Sequence, residues 1–249
     1  CRGAIPHMKR IGGGRIVVVS AGSVYKPSVG PDEHPHYTAA KARYAYIIVY
    51  RRALGWARPC DDVRTLALVK EALAEGGDDP LTLVHSAFAL AYYGRDYDQA
   101  VTLADRAVDL NPNSSDILIP SAWVHCFNCA DTGKAIEQFT RAIRLSPRDP
   151  DTGRALAGLA FASLIGGDTG KGLSWAQKTL QELPNLTVGH RAQILALTRL
   201  NRMDEARETA RRMVALDPGF TIVTRMPPYR DERFRAELYG ALRAVGLPD

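Results

Sequence analysis

Tyr37 and Lys41 stand four residues apart in the stretch HPHYTAAKARY, residues 34–44. At that spacing the two side chains share one face of a helix. A lysine ammonium beside a phenol lowers the phenol's pKa, so the pair can pass a proton to and from a substrate. A second reactive pattern is Cys126-Phe-Asn-Cys129, a CxxC with His125 next to it. Such thiols do redox chemistry when they open a helix after a strand, where the helix N-terminus favours the thiolate. Here the pair falls late in a helical pattern, and no second CxxC completes a four-ligand zinc site. Its expected role is packing, and no metal site is expected. His85, His125 and His190 fall in three separate helical segments and are expected to pack there. Asp61-Asp62 and Asp78-Asp79 stand where helices begin, as capping and turn residues do. Arg207, Arg211 and Arg212 form a basic helical stripe. A solvated face is expected there, with an acidic partner as the alternative.

Positioning these residues falls to a repeated helical pattern. Pro112, Pro147, Pro184 and Pro218 are separated by 35, 37 and 34 residues. Ala100, Ala135, Gly172 and Ala206 show the same separations, 35, 37 and 34. A small residue in a second helix lets the first approach closely, and a proline just past a helix end stops it. Leu103, Ala107 and Leu110 illustrate the apolar spacing of three and four within each helix. One helical pair cannot bury its apolar face alone, so neighbours must stack. Period, small residue and proline together resemble the tetratricopeptide repeat. The expected fold is therefore mainly α: a tetratricopeptide-like α-solenoid of helical hairpins. Repeats are expected at about 47–80, 81–114, 115–149, 150–185 and 186–220, with a capping helix at 230–245.

The phrases RRALGWARP, NPNSSDILIPSAWVH, RAIRLSPRDPD and MVALDPGFTI, with the ending PYRDERFRAELYGALRAVGLPD, narrow the resemblance. Together they look like the C-terminal repeat region that follows class III adenylate cyclase domains and occurs in related bacterial regulators. The resemblance covers residues 47–249 and implies a regulatory and interaction module. It does not carry cyclase activity, because residues 1–46 do not resemble the catalytic domain.

Residues 1–45 read as a short α/β fragment with one strand and one or two helices. Ile5-Pro6-His7-Met8 ends a helix, Gly12 to Gly14 form a turn, and Ile16 to Val19 make a β-branched run typical of a buried strand. PHM, then RIVVVS, then Y-x-x-x-K is similar to the middle of a short-chain dehydrogenase/reductase. The resemblance implies Tyr37 as proton donor or acceptor, and Lys41 as the residue that lowers its pKa and contacts a nicotinamide ribose. The usual catalytic serine position holds Ala21, leaving Ser20 or Ser23 as substitutes. A dinucleotide fold also needs a glycine-rich turn after its first strand, and GGG at 12–14 precedes a strand instead. Ser20, Tyr37 and Lys41 are thus expected to be vestigial, in a fragment of a longer or fused protein. No cofactor is expected, with NAD(P) as the alternative.

The 32 basic and 27 acidic residues are interspersed, without a block dense enough for nucleic acid or a membrane surface. The longest nearly apolar run, residues 155–167, is too short to span a bilayer. Four cysteines are too few for a disulfide scaffold, so a cytoplasmic location is expected. The function expected is a non-catalytic module that binds a protein or peptide on the concave repeat surface, with oligomeric state open. His85, Tyr92, Phe127 and Phe161 are the candidates for lining that groove, and core packing is the competing reading for each. The alternative function is a partial NAD(P)-dependent oxidoreductase using Tyr37 and Lys41.

Overall fold

The structure is a computed structural model that describes residues 35–148 and 151–249. The chain divides into two compact units, Cys1–His36 and Tyr37–Asp249. The expected strand at Ile16 to Val19 and the candidate Ser20 lie outside the described residues, among which there is no strand.

Among the described residues the first two helices are α1 (Pro35–Ala53) and α2 (Asp61–Glu75). The domain boundary expected at 45/46 falls inside α1. The reason is a continuous apolar stripe: Ala42, Ala45, Tyr46 and Val49 recur at helical spacing and are all buried. Tyr37 to Ala45, expected to belong to the dehydrogenase-like fragment, therefore form part of the first helix of the array.

Four hairpins follow. α3 (Pro80–Ala89), which runs on into a π-helical turn at Leu90–Gly94, pairs with α4 (Tyr97–Leu110). α5 (Ser115–Asn128) pairs with α6 (Thr132–Leu145), and α7 (Thr152–Ile165) with α8 (Thr169–Glu182). α9 (Thr187–Arg199) pairs with α10 (Met203–Leu216). The short α11 (Ile222–Arg225) and the closing α12 (Glu232–Ala244) complete the chain.

The repeat markers do what their chemistry requires. Pro112, Pro147, Pro184 and Pro218 each stand two residues past the end of a second helix. Ala100, Ala135 and Ala206 are fully buried, and a Cβ at Gly172 would run into the side chain of Leu164. Each hairpin reverses through one left-handed residue: Arg95 (φ 54°), Cys129 (φ 59°), Gly167 (φ 85°) and Asn201 (φ 57°). Aspartate then restarts three of the second helices. Asp96, Asp131 and Asp168 accept the backbone N–H groups of Gln99, Lys134 and Lys171 at 3.2, 2.8 and 3.0 Å. Each such cap contributes about 1 kcal/mol. The fourth, α10, opens at Arg202 with no side-chain cap.

The two helix classes differ in how they are buried. α4, α6, α8 and α10 bury one narrow stripe, such as Ala100, Ala104 and Ala107 on α4. α5 and α7 are buried almost all round, from Ile117 to Phe127 and from Ala155 to Leu164. A helix apolar on every side must be covered on every side. First helices pack on the next first helices, α3 on α5, α5 on α7 and α7 on α9, and the second helices cover them outside. Something must also cover their inner side.

Candidate binding channel

The inner row of helices curves back on itself. Neighbouring helices pack about 8–10 Å apart, so a straight row would hold α1 and α7 roughly 25–30 Å from each other. Instead Arg154, in the first turn of α7, donates to the Tyr46 hydroxyl of α1 at 2.9 Å. The same guanidinium lies 4.2 Å from the centre of the Tyr50 ring. Burial raises the Tyr46 phenol above its ordinary pKa, and the nearby Arg154 charge opposes that rise.

The channel enclosed by this row is filled by the chain's own C-terminal segment. Beyond α10 the chain enters α11 and continues as Met226-Pro227-Pro228-Tyr229, four buried residues in succession. Prolines suit such a segment: they bring no N–H that would need a partner in the interior, and the Tyr229 N–H turns back onto the Pro227 carbonyl at 3.1 Å. We call residues 221–230 the strap.

The strap touches every hairpin from within. Arg52 at the end of α1 donates to the Thr224 carbonyl at 3.2 Å. The Tyr97 hydroxyl, in the first turn of α4, donates to the Pro228 carbonyl. The Arg230 N–H donates to the Phe127 carbonyl of α5 at 2.8 Å, and its guanidinium reaches Asp98 at 2.6 Å and Asn128 at 3.0 Å. The Tyr229 ring, fully buried, lies 5.8 Å from Phe127 and 5.9 Å from Phe161, centre to centre, and edge-on to Phe234 at 5.0 Å. From α9, Arg191 points into the strap, with Nη1 3.4 Å from the Arg225 carbonyl. Within the strap, Arg225 is clamped by Asp217 at 2.9 and 3.2 Å. Ahead of it, α12 starts on the Asp231 cap, packs on α9 and is fastened by Arg199 to Glu237 at 2.7 Å.

The groove candidates come together here only in part. Tyr92, Phe127 and Phe161 belong to one aromatic file, with Tyr92 and Phe127 5.9 Å apart and Tyr229 joining Phe127 to Phe161. His85 lies elsewhere, between α3 and α1, with its ring 4.5 Å from Tyr46 and Nε2 3.4 Å from Arg43. All four are buried, at 2% (His85), 6% (Tyr92), 3% (Phe127) and 1% (Phe161) exposure. None of them offers an open groove wall, because the chain itself covers them. The sequence pattern marks residues 230–245 as a cap and leaves Met226 to Tyr229 without a role. The available signal was an apolar, proline-bearing run between two helices, where a loop should be polar.

The remaining candidates separate. Lys41 bonds to Glu71 at 3.0 Å and Glu75 at 3.1 Å, tying α1 to α2, and the Glu71 hydrogen bond leads the forces that raise its pKa. Tyr37 stands near the start of α1. The thiols of Cys126 and Cys129 are pushed up by burial, the second to about 11, so both stay protonated at neutral pH. Cys129 is the left-handed turn residue of its hairpin. His125 bonds to Asp105 at 2.9 Å, and His190 to the Leu186 carbonyl at 3.2 Å. Among the described residues no three metal-ligating side chains converge. Asp79 caps α3 through the Thr82 N–H at 2.7 Å, whereas Asp78 pairs with Arg106 at 2.9 Å. Arg207 pairs with Asp204, and Arg211 and Arg212 share Glu208, so each guanidinium of the basic stripe has a carboxylate on its own helix.

Solved structures of the same architecture exist. PilW, a widely conserved type IV pilus biogenesis factor, superposes with a TM-score of 0.60 at 15% identity, over 84% of this chain and 89% of that one. TTC0263, a thermophilic TPR protein in Thermus thermophilus, gives 0.59 at 18% identity, over 83% and 99%. PilF of Pseudomonas aeruginosa gives 0.54 at 14% identity, over 75% and 81%. The fold is a tetratricopeptide-like solenoid. At these identities the likeness concerns the fold alone. No protein-family model and no curated protein matches the sequence. Among the described residues of this solenoid, no helix is long and apolar enough to cross a membrane.

Proposed function

We propose that this solenoid is a non-catalytic protein-interaction module whose concave channel receives an extended peptide segment. One observation carries the reading: a non-helical segment, Met226 to Arg230, already lies in the channel, held by a backbone hydrogen bond at Phe127 and by the buried Tyr229 ring. Backbone bonds plus one aromatic anchor are a general means of recognising an extended chain. The sequence likeness to the repeat tails of adenylate cyclase-type regulators supports a regulatory role in a cytoplasmic signalling protein. Lys41, engaged with Glu71 and Glu75, gives the oxidoreductase reading no support.

The reading is tested with the full chain carrying Tyr229→Ala, which loosens the strap. A labelled peptide of residues 221–232, acetylated and amidated, is titrated and followed by anisotropy. Saturable binding in the micromolar range is expected. No binding up to millimolar peptide would overturn the reading.

A further inference from the structure

Arg191 is the anomaly of the channel. It sits on α9 with 6% of its surface exposed. Buried guanidinium groups are ordinarily matched by a carboxylate. Around Arg191 the polar partners are weak: the Arg225 carbonyl at 3.4 Å and the Met226 sulfur at 3.3 Å, both from Nη1. A thioether is a poor acceptor. The Nε–H has no hydrogen-bond partner among the described residues. The carboxylate that influences it, Asp217, is already bound by both terminal nitrogens of Arg225. The hydroxyls of Tyr92 and Tyr229, which share an electrostatic environment with Arg191, are likewise buried without a partner. Burial lowers the arginine's pKa and raises that of Tyr92 to about 12, yet guanidinium stays charged and phenol neutral at physiological pH. The Arg191 guanidinium thus faces one strap residue, Met226, that offers it almost nothing.

We propose that the channel is a site for an extended peptide bearing a carboxylate, which seats on Arg191 in the place now held by Met226 and displaces the strap. The proposal rests on the reading of the channel as a peptide site. The strap is then an imperfect internal ligand: the Tyr229 ring packs and Arg230 is paired, but its Met226 end leaves the buried cation unmatched. A carboxylate there gains charge-assisted hydrogen bonds that the methionine cannot make. A free peptide of that chemistry binds the channel more tightly than a free peptide of the same shape that lacks it.

The test compares two acetylated, amidated peptides of residues 221–232, one with the natural sequence and one carrying Met226→Glu. Both are titrated against the full chain with Tyr229→Ala, or with Arg230→Ala should the first variant fail to fold. The glutamate peptide is expected to bind roughly 10-fold to 100-fold more tightly. That advantage is expected to vanish when Arg191→Gln is added, with helix content by circular dichroism confirming the fold. Equal binding of the two peptides would overturn the proposal while leaving the channel a peptide site, and would point to the strap of a second copy as its occupant. An advantage that survives Arg191→Gln would overturn it as well. Failure of both peptides to bind would overturn the underlying reading with it.

Discussion

His85 shows how a residue that looks reactive in sequence is put to structural use. Burial, reinforced by the nearby Arg43 charge, lowers its pKa to about 3, so the ring is neutral between α1 and α3. In the unfolded chain the ring titrates near 6.5. Between those values the unfolded chain binds a proton that the folded chain does not. Stability is therefore complete above pH 6.5 and falls as the pH drops toward 3, by about 1.4 kcal/mol per pH unit. Urea unfolding at pH 7 and pH 5 measures this directly. The natural protein should lose about 2 kcal/mol more over that interval than His85→Leu does. Equal losses would show that His85 is not the buried titrating group. The helical pattern predicts that His85 packs, but not that Tyr46 and Arg43 of α1 are its neighbours. Lys41 carries the same lesson. Its spacing from Tyr37 was legible, but Glu71 and Glu75, which take up its charge, become its neighbours only when α1 folds against α2.

At the scale of elements, the hairpins were legible because each marker has a local cause. The prolines stop helices and the small residues let them touch, whatever the rest of the chain does. The aspartates at 96, 131 and 168 were a further periodic marker, since each caps a helix through its own third neighbour. The start of the array was misplaced because α1 lacks these marks, though its stripe from Ala42 to Val49 crosses the expected boundary. The strap's apolar run was visible in the sequence, but its place in the channel was not legible, since its partners are spread over four hairpins. Its contact with the array is open to a double-mutant cycle. Phe127→Leu and Tyr229→Leu should each destabilise, and their effects should couple by about 1 kcal/mol, the worth of an aromatic pair beyond its buried area. Additive effects would mean that Tyr229 does not pack on α5.

At the scale of the whole solenoid, curvature decides what the channel can be. Arg154 reaching Tyr46, and Arg52 reaching Thr224, join parts of the array distant in sequence. Repeat spacing says that hairpins stack, but it does not say how tightly the stack winds, which depends on small side chains at each contact. Gly158 is one: a Cβ there would collide with the Phe139 ring. Tight winding leaves an inner face wide enough for one non-helical segment and buries the aromatic residues that an open groove would have displayed. The central claim is that this segment is residues 226–230. It is tested most directly by nuclear Overhauser spectroscopy on protein with labelled tyrosine and phenylalanine rings. Ring protons of Tyr229 should show cross-peaks to those of Phe127 and Phe161, with shifts displaced from random-coil values. A Tyr229 ring at random-coil shifts, with no cross-peak to either phenylalanine, would contradict the account.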